Sequence, residues 1–240
     1  MQERGQAHSL LPTMLPLRVV LTGGPCSGKT TALPRLAAAL RDRLGWHAVT
    51  VPEAATLFMR GGHAYPGSDA SPPLLLSFER AVFKLMCALE DVTLTHAPVA
   101  AAGRHAAVLC DRGAMDLKAY MPRDTWEALL RAEGLTEDSL LARYDVVLHL
   151  DTVAIGAAEH YVARGGAGCT NDERREGLNE AIVLDAAVAD AWHRHADVVR
   201  VRNESAAGFD VKLGCATEAL LERAKRHGGG GAEAAVAGHL

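Results

Sequence analysis

The segment Gly23-Gly-Pro-Cys-Ser-Gly-Lys-Thr30 constrains this chain more than any other. It fills every fixed position of the pattern G-x-x-x-x-G-K-[ST]. The apolar run Leu17-Arg-Val-Val-Leu-Thr22 before it reads as a short buried strand. Residues 31–44 after it read as a helix rich in Ala, Leu and Arg. A strand that feeds a Gly-rich loop opening a helix aims consecutive backbone N–H groups at one point. The positive end of the helix dipole adds to them, so the loop is an anion cradle. Its candidate phosphate contacts are Gly23, Gly24, Pro25, Cys26, Ser27, Gly28, Lys29, Thr30 and Thr31. Lys29 is expected to reach the β- and γ-phosphates, and the Thr30 hydroxyl to ligate Mg²⁺. The expected ligand is therefore Mg²⁺ with a nucleoside triphosphate, ATP or GTP.

A chain of 240 residues, 49% hydrophobic, can bury one large core. Its net charge of −4 supplies no general field to attract nucleic acid. No apolar run approaches the roughly 18 residues of a membrane span, which leaves only a peripheral lipid contact open. The five cysteines, Cys26, Cys87, Cys110, Cys169 and Cys215, are widely spaced with no metal-ligand pairing. They fit reduced thiols in a cytoplasmic protein. Residues 1–16 lack a secretory apolar segment and read as a flexible leader. Residues 228–240 open with four glycines and read as a disordered Gly/Ala-rich tail. Residues 17–227 between them form the predicted nucleotide-binding domain. The sequence does not indicate the oligomeric state.

Five apolar runs alternate with helical segments, at 17–21, 47–51, 106–110, 145–150 and 197–201. That alternation predicts βαβ units, hence a parallel sheet with helices on both faces. Ser71-Pro-Pro73 starts a long helix with the apolar stripe Leu75, Phe78, Val82, Leu85, Leu89, Val92. A second helix is predicted over 172–195, with Leu178, Ile182, Ala189 and Trp192 on one side, and a last one over 209–227. Pro34 removes a donor inside the first helix and predicts a kink there.

Ligands of open parallel sheets bind at the carboxyl ends of the strands. The residues just past each run are therefore the candidates for chemistry. Asp111 ends its run as a Mg²⁺-holding carboxylate does, and Arg112 beside it suits a phosphate. Glu53 follows the second run and is a candidate acceptor of a substrate hydroxyl proton; a helix N-terminal carboxylate is the alternative. Asp151 follows the fourth run and reads as a helix-terminal carboxylate, with a functional role as the alternative. Asn203 follows the fifth. His149 reads as a hydrogen-bonded core histidine. Residues 164–175 combine glycines with Arg164, Arg174 and Arg175, the composition of a mobile cover that neutralises phosphate charge.

The ordered set of these residues resembles a known family. Residues 20–32, Glu53, Cys110-Asp-Arg-Gly113 and Asp145-Val-Val-Leu-His-Leu150 are similar to the P-loop ATPase-like (AAA) domain of NadR-type ribosylnicotinamide kinases and TRPL translocation-defect proteins. The likeness continues through Asn171, Arg174 and Glu176, then Leu184-Asp185, Trp192 and His195. The resemblance implies a three-layer αβα P-loop NTPase fold, nucleoside-kinase-like, with a five-stranded parallel sheet in the order 2-3-1-4-5. It also implies a lid role for Arg174 and a substrate-side carboxylate at Glu53. Glu79 stands where the family leads one to expect a glutamine. A glycine tail stands where the fuller translocation-defect proteins carry a second domain.

Two functions compete on this sequence. One is a Mg²⁺-dependent phosphotransferase acting on a small nucleoside-like hydroxyl substrate, with Lys29, Glu53, Asp111, Arg112 and Arg174 as its catalytic set. The other is a GTP-binding regulatory or trafficking protein with weak hydrolysis and a phospholipid link. No Asn-Lys-x-Asp guanine-reading motif appears, and Asn203 is a poor substitute for one. A degenerate nucleotide-binding scaffold is the third alternative, opposed by the presence of Lys29, Thr30 and Asp111 together.

Overall fold

The computed structural model describes residues 14–67, 69–156, 158, 177–203 and 208–237. The elements run β1 (Leu17–Thr22), α1 (Lys29–Leu44), β2 (His47–Val51), α2 (Ala54–Arg60), α3 (Pro72–Ala101) and β3 (Ala106–Asp111). A 3₁₀ helix (Ala114–Tyr120), α4 (Arg123–Glu133), α5 (Glu137–Leu141) and β4 (Val146–Leu150) follow. The chain closes with α6 (Leu178–Ala191), β5 (Val198–Val201) and α7 (Gly208–Ala237). All strand pairings are parallel, in the order β2-β3-β1-β4-β5.

The strands read as continuous apolar runs because both faces of the sheet are covered. Successive side chains point to opposite faces. Val20, Val108, Cys110 and Val147 enter one core with α3, the 3₁₀ helix, α4 and α6. Val19, Leu21, Leu109 and Leu148 enter the other with α1 and α7. β1 lies between β3 and β4, so the loop that leaves it opens at the centre of the sheet's carboxyl edge.

Three helices differ from their sequence expectations. The stripe of α3 holds through Leu75, Phe78 and Val82, then follows Phe83, Met86, Glu90, Ala97 and Ala101. Val92 is 63% exposed, because a 3.6-residue period drifts away from a strict run of threes and fours. On α6 the buried face is Ala181, Asp185, Val188 and Ala191 rather than the Leu178 side. A buried carboxylate sets that face, and no hydrophobic pattern announces one. The backbone of α7 runs on to Ala237, beyond the end expected at His227. Gly228 there approaches the Trp46 and His105 rings, and the alanines that follow favour helix. α1 passes through Pro34 as one continuous helix.

Between β3 and β4 lie three helical elements that single-period patterning does not resolve. A buried polar pair ties them to α3. Glu90 accepts from the Tyr144 hydroxyl at 2.7 Å and from Arg143 at 2.7 Å. Among the described residues, Cys87, Cys110 and Cys215 are free thiols. No described helix is long and apolar enough to cross a membrane.

Candidate functional site

The loop between β1 and α1 turns through three positive φ values, at Gly23, Cys26 and Gly28. Gly28 caps α1 at φ 90°, and a Cβ there would meet the Phe209 ring at 2.3 Å. Only glycine satisfies both the conformation and the close approach. Gly23, Gly24, Pro25 and Ser27 are buried, while Thr30 and Thr31 face outward in the first turn of α1.

Lys29 is 8% exposed and folds back on its own loop. Its ammonium donates to Gly23 O at 2.8 Å, Gly24 O at 3.0 Å and Ser27 Oγ at 3.0 Å. Burial, helped by the Arg112 guanidinium, lowers its pKa to about 8 against the pull of Asp111, Glu53 and Asp116. The Thr30 hydroxyl donates to Asp111 Oδ2 at 3.3 Å. Burial raises the pKa of Asp111, opposed by Lys29.

β2 and β3 are paired at Val51 and Cys110, so the residues just past each strand meet. Glu53 Oε1 accepts from Arg112 Nε, and Glu53 Oε2 accepts from the Thr56 hydroxyl at 2.7 Å. Burial pushes the Glu53 pKa up, but Arg112, Thr56 and Lys29 outweigh it and hold the carboxyl down at about 2. Arg112 sits at φ 71°, a strained conformation for a non-glycine residue, with its guanidinium 5.5 Å from the Tyr120 ring centre. Arg112 Nη1 lies 3.7 Å from Asp116 Oδ2.

The structure thus brings Lys29, Thr30, Glu53, Asp111 and Arg112 into one mixed-charge cluster beside the loop. Asp111 Oδ1, Arg112 Nη1 and Asp116 Oδ2 are buried there without a hydrogen-bond partner among the described residues. Buried polar atoms are rarely left so. The oxygens of Thr30 and Asp111 are the donor type that Mg²⁺ takes, and the orphaned Asp111 Oδ1 adds an unused ligand atom.

Other candidates have different surroundings. The Asn203 amide NH₂ donates to Thr152 O at 2.7 Å and Ile155 O at 2.8 Å, so it ties down the loop after β4. Asp151 accepts from Arg200 Nε at 2.6 Å. His149 is buried with Nε2 3.2 Å from Asp185 Oδ2, as a core histidine. Arg174, with Arg164, Arg175 and the rest of the expected cover, lies outside the described residues.

The sequence reading gave no role to Asp116, Asp185 or Lys212, although Asp185 stands among the residues that carry the family resemblance. Asp116 is 1% exposed and accepts from Thr22 Oγ1 at 2.6 Å and Trp192 Nε1 at 2.5 Å. Its place five residues after Asp111, inside an apolar stretch, was the available signal. Asp185 and Lys212 sit on helix faces that sequence periodicity marks as ordinary.

A family model described as an AAA domain matches residues 18–207. No curated protein matches the chain significantly. Two solved structures of NadR are similar in fold. One, in complex with NAD and AMP-PNP, has 14% identity and a TM-score of 0.55, over 87% of this chain and 49% of that one. The other, in complex with NR, has 15% identity and a TM-score of 0.57, over 87% and 52%. This chain therefore spans about half the length of those NadR chains. The sheet order expected from the resemblance is the order found, and the architecture is that of a P-loop NTPase. With four-fifths of its length matched by one model, the chain belongs to the AAA-domain family AAA_28.

Proposed function

We propose that this protein is a Mg²⁺-dependent phosphotransferase that moves the γ-phosphoryl group of a nucleoside triphosphate to a small nucleoside-like hydroxyl substrate. The observation that carries this is the cluster of orphaned polar atoms on Asp111, Arg112 and Asp116 around Lys29. It is a cluster of both charges, which suits a bound phosphate and a bound hydroxyl side by side. The NadR structures bear NAD with AMP-PNP in one case and NR in the other, a nucleotide and a nucleoside of the classes proposed here.

In this mechanism Lys29 keeps its hold on Gly23 O, gives up Gly24 O and turns its freed donors to the β- and γ-phosphates. Thr30 and Asp111 hold Mg²⁺, which neutralises phosphate charge when bound. Arg112 faces the charge that develops on the transferred group. Glu53, a carboxylate held near pKa 2, is a weak base and a fixed hydrogen-bond acceptor. It orients the attacking hydroxyl, and the hydroxyl proton moves late, as a loose transition state allows. Arg174 supplies a further cation from the cover.

The experiment has two stages. ATP and GTP affinities come first, then a screen of nucleosides as phosphate acceptors. Glu53→Gln should slow transfer to the acceptor by about 10²-fold, the scale of misplacing a reacting group, and leave triphosphate affinity unchanged. A protein that binds GTP, accepts no nucleoside and is indifferent to Glu53→Gln is a regulator instead.

A further inference from the structure

Behind the loop lies a second charged cluster that the proposed mechanism does not use. Asp185 on α6 is fully buried. Its Oδ1 accepts from the Gly24 N–H at 2.7 Å and from the Thr152 N–H at 3.0 Å. Its Oδ2 faces His149 Nε2 at 3.2 Å and Arg200 Nη2 at 3.8 Å. A Cβ on Gly24 would stand 2.8 Å from the Asp185 Cβ, so the glycine is what admits the carboxylate. Lys212 on α7, also buried, adds a second hold by donating to Ser27 O at 2.9 Å.

The Gly23–Gly24 peptide unit connects this cluster to the phosphate side. Its N–H goes to Asp185, and its carbonyl, Gly23 O, accepts from Lys29 Nζ at 2.8 Å. A trans peptide is planar, with N–H and C=O pointing in opposite directions. Fixing one end therefore fixes the other. A charge-assisted hydrogen bond of this length is among the stronger ones a backbone amide makes. The His149, Arg200 and Thr152 contacts keep the carboxylate from turning away.

Resting on the phosphotransferase reading, we infer that Asp185 is a positioning residue for triphosphate binding. It orients the Gly23–Gly24 peptide and, through Gly23 O, sets where the Lys29 ammonium stands. Asp185 touches no phosphate in this scheme. Asparagine can do the same work. Its Oδ1 accepts from Gly24 and Thr152, and its NH₂ can donate to His149 Nε2 once that ring carries its proton on Nδ1, which has no partner now. Alanine leaves both amides without an acceptor.

The test compares wild type, Asp185→Asn and Asp185→Ala by titration with Mg-ATP, Mg-GTP and the corresponding monophosphates. Thermal melts run in parallel. Folded Asp185→Ala should bind triphosphate about 10- to 100-fold more weakly, the scale of a lost hydrogen bond to a charged group. Asp185→Asn should stay within roughly threefold of wild type. The loss should fall on triphosphate and spare monophosphate, because Lys29 serves the outer phosphates. Folded Asp185→Ala with wild-type affinity overturns the inference, as does an Asn variant as weak as the Ala variant. Equal loss for mono- and triphosphate overturns the route through Lys29. Amide exchange of Gly24 in nucleotide-free wild type decides the matter even if the alanine variant does not fold. A protected amide supports the clamp, and one exchanging at open-loop rates removes it. A wild type that binds neither nucleotide brings down the phosphotransferase reading and the positioning role together. Gly24 exchange reads the clamp separately.

Discussion

Lys29→Met should change how stability depends on pH, by an amount that follows from the burial of the ammonium. The lysine has an ordinary pKa of 10.5 in the unfolded chain and about 8 in the folded one. At pH 7 both states hold the proton, so the folded state bears the full cost of a buried charge. Between pH 8 and 10.5 the folded protein sheds the proton that the unfolded chain keeps. The unfolded state then binds more protons, and stability rises with pH. The gap between the two pKa values converts to roughly 3 kcal/mol at ~1.4 kcal/mol per pH unit. Methionine has no such proton. Urea melts of both proteins at pH 7, 8, 9 and 10 therefore read the lysine, because Lys212, the other buried lysine with a lowered pKa, is common to both and takes its shift from burial, Asp151 and Asp185 rather than from Lys29. Relative to the variant, wild type should gain most of that roughly 3 kcal/mol as pH rises from 7 to 10. Triphosphate binding should show the opposite trend, since the bound form keeps the proton. Affinity of the wild type should fall toward tenfold per pH unit above about 8. Parallel stability curves for the two proteins would refute the buried, charge-strained lysine and with it the picture of a cation waiting for phosphate.

Two further outcomes follow from particular contacts. Asp111→Asn should lower Mg²⁺-dependent turnover by about 10²-fold or more, the scale of losing metal-borne charge stabilisation, with little change in melting temperature. A collapsed melting temperature with normal turnover would make Asp111 a structural partner only. Glu90→Ala leaves Arg143 and the Tyr144 hydroxyl without their shared carboxylate. It should cost about 3 kcal/mol, the low end for breaking a buried pair, since Arg143 keeps Asp91 at 2.9 Å. Calorimetry would read that as about 6–12 °C in a chain of this size, with triphosphate affinity intact.

The parts of this fold that were legible from sequence are those where one period or one motif acts alone. Strands buried on both faces appear as apolar runs, and their ends were placed within one residue: β4 starts at Val146 rather than Asp145, whose carboxylate instead pairs with Arg18 at 2.7 Å. The loop motif fixed Gly23 to Thr30, and the rule of strand carboxyl ends led to Glu53, Asp111 and Arg112. The same rule led to Asn203 and Asp151, whose side chains serve the loop after β4 and Arg200 instead. Position at a strand end does not say which way a side chain turns. The buried face of α6 was misplaced because hydrophobicity favours Leu178 and Ile182, whereas the face that packs is set by Asp185. A carboxylate buried against two backbone amides, a histidine and an arginine is apolar in effect but polar in name.

The two clusters at the loop differ in how complete they are, and that difference carries the functional argument. Behind the loop, both Asp185 oxygens and the Lys212 ammonium have partners, and His149 Nδ1 is the one atom of that cluster left without a hydrogen bond among the described residues. In front, Asp111 Oδ1, Arg112 Nη1 and Asp116 Oδ2 do not. A fold that satisfies one set of buried charges and leaves another short is not limited by its capacity to pair them. Unsatisfied buried polar atoms cost about 1–3 kcal/mol each, a cost that the approach of Arg112 Nη1 to Asp116 Oδ2 at 3.7 Å relieves only in part and that a bound ligand would lift further. Because those atoms are two carboxylate oxygens and a guanidinium nitrogen, that ligand must offer both a cation and an anion. Magnesium with a triphosphate, the ligand proposed above, offers both. Arg112 at φ 71° is part of the same economy, since backbone strain persists where the surrounding contacts hold it. Here the Glu53 ion pair, the Tyr120 ring and the Arg112 N–H to Leu21 O bond at 3.0 Å all do so.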